Sequence, residues 1–515
     1  MESMTTQQAA HSASRGLALL MTLLAVAACT ALEPLQSPVE VAPEPAQSAA
    51  WQALEEAAPA ADWHVLLNEG SRALDWRLRA IDSATASIDL QTFLWNFDTV
   101  GSLTLDHLLR AADRGVAIRL LIDDTFLVQE DEVLLALTAH PNIRYRVFNP
   151  YKRRSTGMVT RTLLNLGEFS RLDHRMHNKA MVVDDQVAIV GGRNLADEYF
   201  GLNEQANFRD LEMLLGGRAV QEVSDAFNQY WNSPWSIPIE SVSHKRASAE
   251  QLAAARTVAS GAAAAVHREE SAAERLTHWR AVVAGADTGT TRLYFDNPPD
   301  ANPADASEAP VQVTDELIAL FEGAREEVVI VSAYLIPTPE LEGAVANAIA
   351  RGVRIRVLTN SIQSNNHLTA HSAYRNHINT LLDSGADVHE VRINARDRAR
   401  YMLTPLGRKT LALHAKALII DRDKVFIGSA NLDPRSLRIN TEMGFLVTSE
   451  AFNSVVRAAV EADFDRANAW QLEKQPDGAI YWVGDDEVLT AQPAASFMQR
   501  IEDWFFAHLP LENKL

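Results

Sequence analysis

The amino-acid sequence predicts an α/β protein of two similar domains, each a mixed, mostly parallel sheet flanked by helices. Two observations carry this prediction: an internal repeat with one constant offset, and a strand–helix–strand pattern at the start of each half. The composition agrees, because 47 % hydrophobic and 22 % charged residues are typical of a folded globular chain. At 515 residues the chain is long enough for two domains with separate cores.

The internal repeat has an offset of 237 residues. The segment RGVAIR at 114–119 recurs as RGVRIR at 351–356. The same offset relates three further pairs: His177 and His414, Gly191 and Gly428, and Phe227 and Phe464. One offset shared by four landmarks indicates two related halves.

Each half begins with the pattern of a βαβ unit. In the first half SIDLQTFLW, LTLDHLLRAADRG and VAIRLLIDD read as strand, helix and strand, and in the second EEVVIVSAYLI, LEGAVANAIARG and VRIRVLTNS do the same. A glycine ends each helix, and β-branched residues follow. We therefore assign the first domain to 62–240 and the second to 310–470. The segment 241–309 is predicted to be a helical and Pro-rich linker.

The N-terminus resembles a lipoprotein signal peptide. An apolar run at 16–28 follows Arg15 and ends at Cys29, the only cysteine of the chain, which excludes an internal disulfide. The resemblance implies cleavage after residue 28 and lipidation of Cys29; a short uncleaved anchor is the alternative. Residues 29–61 read as a flexible tether. We expect a bacterial envelope protein anchored on the periplasmic side, or one associated with the inner membrane.

The C-terminal extension, 471–515, ends in bulky apolar residues at helical spacing. These are Phe497, Ile501, Trp504, Phe505 and Leu509. Such a face either packs on the core or lies on a bilayer, and we favour packing on the core.

The motif that carries chemistry is His-x-Lys-x4-Asp, present once in each half. The first copy contains His177, Lys179 and Asp184, and the second His414, Lys416 and Asp421. Both occur in β-rich sequence, where residues i and i+2 share a face, so we expect each histidine to project beside its lysine. An imidazole can act as nucleophile or general acid near neutral pH, and a lysine can neutralise phosphate oxygens without a metal. A single copy is a weak signal, but two copies in register predict one composite phosphodiester-transferring site.

With Gly191 and Asn194 after the first copy, and Gly428 and Asn431 after the second, the chain resembles the phospholipase D superfamily. The resemblance implies two domains that face each other across a pseudo-two-fold axis, with both motifs in one cleft. It also implies one histidine as the nucleophile, most often the N-terminal one, His177. His414 would then protonate the departing alcohol and deprotonate the incoming one.

The same resemblance gives roles to other residues and implies no metal or cofactor. It assigns five residues to binding of the substrate phosphate: Lys179, Lys416, Asn194, Asn431 and Ser429. Asp210 and Glu442 are the carboxylates expected to orient the histidines. Gly192 stands where the second half has Ser429, which removes one hydroxyl donor. Asp184 and Asp421 are predicted to be structural, supporting the turn after the strand.

Several features narrow the substrate. The net charge of −20 disfavours nucleic acid. Basic segments that precede each motif, from Arg144 to Arg175 and from Arg392 to Lys409, contain apolar residues and suggest an anionic phospholipid. The sequence around the motifs, for example VFIGSANLDPRSLRINTEMGF, resembles the C branch of the bacterial cardiolipin synthases.

That resemblance implies transfer of a phosphatidyl group to phosphatidylglycerol, from phosphatidylglycerol or phosphatidylethanolamine. A monomer acting at a membrane surface is expected. Hydrolysis of phospholipids to phosphatidic acid is the alternative, since a phosphohistidine can also react with water.

Overall fold

The computed structural model describes residues 32–35, 38–44, 48–57, 61–127, 131–154, 157–243, 245–266, 270–299 and 312–509. The predicted signal peptide, Cys29 and the first part of the tether lie outside these residues. Across the described ranges, no helix has both the length and the apolar character needed to cross a membrane.

The first half contains nine strands and the linker contributes a tenth among the described residues. They are β1 (Asp62–Leu67), β2 (Ser87–Thr92), β3 (Ala117–Asp123), β4 (Ile143–Phe148), β5 (Ala180–Val183), β6 (Val187–Gly191), β7 (Ala206–Arg209), β8 (Glu212–Gly216), β9 (Ser236–Pro238) and β10 (Asp287–Phe295). The second half follows with β11 (Glu327–Ser332), β12 (Arg354–Asn360), β13 (Asp387–Val391), β14 (Thr410–Leu413), β15 (Lys416–Ile420), β16 (Lys424–Gly428), β17 (Met443–Thr448), β18 (Ala469–Lys474), β19 (Ile480–Val483) and β20 (Val488–Leu489).

The helices lie between these strands. They are α1 (Ala49–Ala57), α2 (Gly70–Ser83), α3 (Thr99–Asp113), α4 (Asp131–Leu137), α5 (Met158–Leu164), α6 (Phe169–Asp173), α7 (Arg218–Trp231), α8 (Ile239–Ser243), α9 (Ala249–Val266), α10 (Ala272–Ala284), α11 (Gln312–Gly323), α12 (Pro339–Ala350), α13 (Leu368–Ser384), α14 (Pro434–Arg438), α15 (Glu450–Glu461) and α16 (Phe497–Ala507). Short 3-10 turns occur at Leu166–Glu168, Asp197–Tyr199, Arg398–Arg400 and Ala462–Phe464.

The predicted βαβ units are present in both halves. Helix α3 begins at the N-cap Asp98, whose carboxylate accepts from the Gly101 N–H, and α12 begins at Thr338, followed by Pro339. Each helix is followed by a glycine with positive φ, +98° at Gly115 and +89° at Gly352, which lets the chain turn into the next strand.

Eighteen of the described strands form one continuous mixed sheet with matching order in the two halves, and β7 and β14 form a separate two-stranded parallel sheet. The first half runs β9-β4-β3-β2-β5-β6-β8-β1, and the second runs β10-β17-β16-β15-β11-β12-β13-β18-β19-β20. In this sheet parallel pairing is confined to β2-β3-β4 and β11-β12-β13. The remaining pairs are antiparallel, because hairpins rather than helices join strands such as β5 and β6.

The halves meet through β1 and β10, which pair antiparallel from Asp62–Gly289 to His64–Asp287. Strand β10 occupies the place in the second half that β1 occupies in the first, beside β17 and β8 respectively. This pairing relates the halves by a pseudo-two-fold axis and confirms the predicted α/β fold of two similar halves with a mixed sheet, although that sheet is mostly antiparallel rather than mostly parallel. Strand β10 lies inside the stretch 241–309, so the sheet of the second half begins before residue 310.

Alternation along the strands divides the core into layers. On β5, Met181 and Val183 pack in the core beneath the first-half helices, and on β15, Leu418 and Ile420 pack in that of the second half. Ala180, Val182, Ala417 and Ile419, on the opposite faces, join one shared core between the halves. The two sheet halves therefore pack face to face through their inner surfaces, and each motif strand contributes to this shared core.

The C-terminal extension completes the second half. Strands β18, β19 and β20 extend its sheet, and α16 packs against α13. This contact is made through Asp503, whereas four of the five apolar side chains predicted to pack on the core are exposed: Phe497, Ile501, Trp504 and Phe505.

Candidate active site

The second motif histidine is held next to a carboxylate of the first half. Strand β14 pairs in parallel with β7, so Leu413 lies opposite Arg209. The His414 N–H donates to the Arg209 carbonyl at 2.8 Å. Because Asp210 follows Arg209, its Oδ2 reaches His414 Nδ1 at 2.6 Å.

The first motif histidine has the mirror-image arrangement. Met176 forms a parallel bridge with Thr441, and the His177 N–H donates to the Thr441 carbonyl at 2.9 Å. Glu442 follows Thr441, and its two carboxylate oxygens lie 2.9 and 3.0 Å from His177 Nδ1. Each carboxylate therefore orients the histidine of the opposite half.

Both histidines stand just before their strands rather than inside them. Strand β5 begins at Ala180 and β15 at Lys416. The lysines nevertheless lie beside their histidines: Lys179 Nζ donates to the His177 carbonyl at 2.7 Å, and Lys416 Nζ donates to that of His414. The four residues are buried, with 3–9 % of their surface exposed.

Burial lowers the pKa values of the two motif lysines, and the nearby carboxylates offset this effect only in part. The pKa of Lys179 falls to about 7 and that of Lys416 to about 8, although Glu442 and Asp210 act in the opposite direction. Lys416 also lowers the pKa of Lys179, since both cations approach the same space. Such a pair is poised to gain stability from a bound anion.

Both histidines have lowered pKa values, which favours the neutral imidazole. Burial lowers the pKa of His414 to about 3, with Lys416 acting in the same direction and Asp210 opposing it. Burial also lowers the pKa of His177 against the opposing effect of Glu442. A neutral ring whose Nδ1–H donates to a carboxylate keeps its Nε2 lone pair for chemistry.

Burial would raise the pKa values of the carboxylates, but their histidines and lysines reverse the effect. The pKa of Asp210 is held well below its usual range by His414 and Lys416, and the pKa of Glu442 is lowered by His177 and Lys179. Both are therefore anions that fix the tautomers of their histidines.

The difference between Gly192 and Ser429 is matched by the difference between the two carboxylates. Ser429 Oγ donates to Glu442. A Cβ at Gly192 would lie 2.2 Å from Asp210 Oδ1, so the shorter aspartate occupies the space of the missing side chain. The Leu211 N–H, at 2.7 Å from Asp210 Oδ1, replaces the serine hydroxyl as donor. The first half thus keeps a hydrogen-bonded carboxylate without a serine.

The histidines open into one cavity of about 380 Å³. Its lining comes from both halves: Phe93, Leu94, Phe126, His177, Asn194, Glu198, Tyr199 and Phe208 from the first, and Tyr334, Asn366, His367, Thr369, Ala370, His414, Asn431, Asp433, Arg435, Ser436 and Asn440 from the second. Aromatic rings hold the histidines edge-on, Phe93 at 5.0 Å from His177 and Tyr199 at 4.9 Å from His414 between ring centroids.

Sequence reasoning missed much of this lining. Phe93, Tyr199, Tyr334 and Asp433 were not among the predicted site residues. The signal that exists is local: Tyr199 follows Asn194 by five residues, and Asp433 follows Asn431 by two. Burial raises the pKa of Asp433 to about 6, with Glu442 acting in the same direction, whereas the Ser436 N–H lowers it.

Two asparagines predicted to contact substrate line the cavity and retain unused polar atoms. Asn194 Nδ2 donates to the Tyr199 hydroxyl at 2.8 Å. Among the described residues no hydrogen-bond partner exists for Oδ1 of Asn194 or of Asn431, although both atoms are buried. Orphaned amide atoms beside two lysines suit a site that is completed by a ligand.

The motif aspartates lie away from the cavity. Asp184 accepts from Trp51 Nε1 at 2.6 Å and from backbone N–H groups of Thr85, Ala86 and Ser87 at 2.7–2.8 Å. Asp421 accepts from the N–H groups of 325–327. Both have positive φ, 54° and 48°. Each aspartate thus ties the turn after its motif strand to the start of the strand that opens its half.

The basic segments before the motifs are not free basic surfaces. Arg171 pairs with Glu168, Arg175 with Asp123, and Arg154 with Asp124. In the second segment Arg392 pairs with Asp485 and Asp486, and Arg396 with Asp465. The expectation that these arginines concentrate an anionic substrate is therefore wrong for the paired ones, since local acids neutralise them.

Comparison with known proteins agrees with this geometry. The family model described as "Cardiolipin synthase, PLD-like domain" matches residues 78–231 and 317–466. Cardiolipin synthase C of Escherichia coli K12 is 32 % identical over 85 % of this chain and 92 % of its own, and cardiolipin synthase B of the same strain is 26 % identical over 86 % and 90 %. The phosphatidylserine synthase structure from Haemophilus influenzae superposes with a TM-score of 0.54 at 13 % identity, covering 82 % of this chain and 92 % of its own, and supports the fold alone.

Fold and site together define a protein of the phospholipase D superfamily, with one composite site between two repeated halves. Within it, the chain belongs to the cardiolipin synthase family with PLD-like domains. It is accordingly a phospholipid-modifying enzyme.

Proposed function

We propose that the protein transfers a phosphatidyl group from a phospholipid to the terminal hydroxyl of phosphatidylglycerol, forming cardiolipin. The observation that carries the proposal is the pair of motif histidines, each oriented by a carboxylate of the opposite half and both opening into one cavity. The 32 % identity to a cardiolipin synthase over 92 % of that protein supports this choice of reaction within the superfamily.

In the first step His177 Nε2 attacks phosphorus of the donor lipid. The nitrogen–phosphorus bond forms as the bond from phosphorus to the head-group oxygen breaks. His414, protonated in the complex, gives its proton to the departing oxygen. A bound phosphodiester anion favours that protonation, because it offsets the burial that lowers the pKa of His414 in the free site. Glycerol leaves if the donor is phosphatidylglycerol, and ethanolamine if it is phosphatidylethanolamine.

In the second step the head-group hydroxyl of phosphatidylglycerol attacks the phosphohistidine. His414 Nε2 accepts its proton, the nitrogen–phosphorus bond breaks, and His177 is regenerated. Asp210 and Glu442 remain anionic and stabilise whichever imidazole is positive. Two in-line displacements give net retention at phosphorus.

The cations and amides of the site would hold the phosphate throughout. Lys179 and Lys416 supply two buried positive charges, and Asn194 and Asn431 supply amides whose unused atoms border the cavity. Oδ1 and Nδ2 of an asparagine exchange by a rotation of the amide, which would turn a donor toward phosphate oxygens. Preorganised donors of this kind stabilise the charge that develops during transfer.

The test uses purified full-length protein and vesicles of radiolabelled phosphatidylglycerol. We expect labelled cardiolipin, and a loss of at least about 10³-fold in His177→Ala and His414→Ala. His278→Ala is the matched control, because His278 is half exposed on α10 and does not line the cavity. Formation of phosphatidic acid without cardiolipin would show that the protein is a hydrolase and not a transferase. Unchanged turnover in both histidine variants would show that this site does not carry out the reaction.

A further inference from the structure

Helix α16 is attached to the protein by its polar side. Asp503 is fully buried and lies 2.9 Å from His371 Nδ1, 3.0 Å from Ser372 Oγ and 3.1 Å from Arg375 Nη1. It is the only residue of α16 that is buried in the part of the chain that the structure describes. The helix therefore docks on α13 through a carboxylate.

Five apolar side chains of the same helix are exposed. They form the C-terminal patch: Phe497, Met498, Ile501, Trp504 and Phe505, with exposed fractions from 42 % at Ile501 to 76 % at Phe497. At 100° per residue the patch covers one side of α16, and Asp503 and Gln499 lie on the other. A helix on the surface of a soluble protein normally turns its apolar stripe inward. The orientation of α16 is the reverse.

Two further polar contacts hold the helix in this reversed orientation. Gln499 Nε2 donates to the Ile362 carbonyl at 3.1 Å, and Asn376 Nδ2 donates to the Ala507 carbonyl at 3.3 Å. Rotating the helix to bury its apolar side would expose Asp503 and leave His371 buried without its acid. Breaking this buried pair carries a cost that opposes the gain from burying the apolar side chains.

Helix α16 packs on the helix that forms one wall of the active-site cavity. Helix α13 carries the contact to α16 at His371 and Ser372, and the residues just before them, Thr369 and Ala370, line the cavity. Binding of α16 to a lipid surface would thus hold α13, and with it one wall of the cavity, near that surface.

We propose that the C-terminal patch inserts into a phospholipid bilayer and presents the active-site cavity to lipid. The proposal rests on the phospholipid substrate class, and not on which acceptor is used. A helix with bulky apolar residues on one side binds in the plane of a membrane interface, and tryptophan favours that depth.

Charge next to the patch supports a phospholipid occupant. A groove of about 580 Å³ is bordered by α13, β19 and α16, and Arg375 and Arg500 line it together with the patch residues Phe497, Ile501 and Trp504. Arg500 Nη2 also binds the Gln492 carbonyl at 2.9 Å, which holds its guanidinium at the edge of the patch. The Arg500 guanidinium beside apolar side chains matches a lipid with an anionic head group and acyl chains, whereas Arg375 is paired with Asp503 and Glu502 is exposed on the flank.

The test places a fluorophore on the patch of the full chain. In a Cys29→Ser, His177→Ala background, Ile501→Cys is labelled with an environment-sensitive dye and mixed with vesicles of phosphatidylglycerol and phosphatidylethanolamine. The matched control is Val258→Cys on α9, an apolar residue that is 65 % exposed. We expect blue-shifted emission and quenching by spin-labelled acyl chains at 501 only. Adding Phe497→Ser and Trp504→Ser should weaken the quenching response at least about tenfold in lipid concentration.

Either of two results would overturn the proposal. One is a label at 501 that remains in water with vesicles present. The other is a label that becomes shielded without vesicles as protein concentration rises, which would assign the patch to a second copy of this chain.

The labelled variants cannot turn over, so an outcome here does not depend on the reaction. Conversely, Phe497→Ser/Trp504→Ser in the active protein should keep its rate on a short-chain soluble substrate and lose rate on vesicles. Loss on both substrates would contradict a role in docking alone.

Discussion

The crossed pairing of carboxylates and histidines predicts that Asp210→Asn and Glu442→Gln damage different chemical events. Asp210 binds His414, the proposed general acid, and Glu442 binds His177, the proposed nucleophile. Both amides keep the shape of the side chain and remove its charge. The two variants should therefore separate when the need for acid catalysis is removed.

The size of each effect follows from burial. Removing one partner of a buried charged pair costs about 3–5 kcal/mol. At 1.36 kcal/mol per tenfold, this corresponds to a loss of about 10²- to 10⁴-fold in the step that needs the charged histidine. The 2.6 Å contact of Asp210 with His414, both almost fully buried, places this pair toward the upper end.

The assay compares phosphatidylglycerol with a phosphatidyl ester of p-nitrophenol as donor. Nitrophenolate leaves without a proton, so its burst reports attack by the nucleophile alone. Asp210→Asn should lower the rate with phosphatidylglycerol about 10²-fold or more, but should lower the rate of the nitrophenolate burst less than about tenfold. Glu442→Gln should lose a similar factor in both measurements. Glu390→Gln is the control, since Glu390 is also fully buried but binds Tyr374 and Trp482 away from the cavity.

The outcomes are distinct. Equal losses by both variants on both donors would refute the division of roles. An interchange, with the burst lost in Asp210→Asn and kept in Glu442→Gln, would make His414 the nucleophile. Loss of activity in Glu390→Gln would show that any buried carboxylate is needed for folding.

Three further predictions concern the neighbours of this centre. The lowered pKa of Lys179, about 7, means that its ammonium is present below that pH and lost above it; kcat/KM should fall on the alkaline side in a pH profile, and Lys179→Arg should move that limb upward toward the pKa of Lys416, about 8. Gly192→Ala should cut activity about 10²-fold, because its Cβ would displace the neighbouring carboxylate, whereas Ser429→Ala removes one hydrogen bond and should cost about tenfold in the same assay. Thermal unfolding should show a larger loss of stability for Asp184→Ala than for Asp421→Ala, since only Asp184 is fully buried; equal shifts would contradict this.

Local patterns in the sequence were sufficient for the repeated units. The βαβ elements appear where the apolar runs and the glycines at 115 and 352 place them, because such signals act over a few residues. Strand β10 was assigned to the linker, since its role depends on pairing with β1 and β17, which are distant in the chain. The parallel share of the sheet was overestimated for the same reason.

The site was predictable in its members but not in its connections. The repeat and the family resemblance pointed to the histidines, lysines and carboxylates that the structure brings together. The crossing of Asp210 to His414 and of Glu442 to His177 could not be read from spacing, because it arises from β7 pairing with β14. Arginines of the basic segments were misread, since their neutralising acids, such as Asp123 and Asp485, lie far away in the sequence.

The crossing has a consequence for how the site is assembled. A single half would contain one His-x-Lys pair but would lack the carboxylate that fixes its tautomer, and the inner faces of the sheets would be exposed. Packing of one half on the other supplies the missing carboxylate and also buries the inner faces of the sheets. The site therefore depends on the packing of the halves as well as on the motifs, and the contacts of β7 with β14 and of Met176 with Thr441 bring each carboxylate to its histidine. If the histidines act as proposed, we expect either half expressed alone to be inactive, because its histidine would lack the carboxylate of the other half.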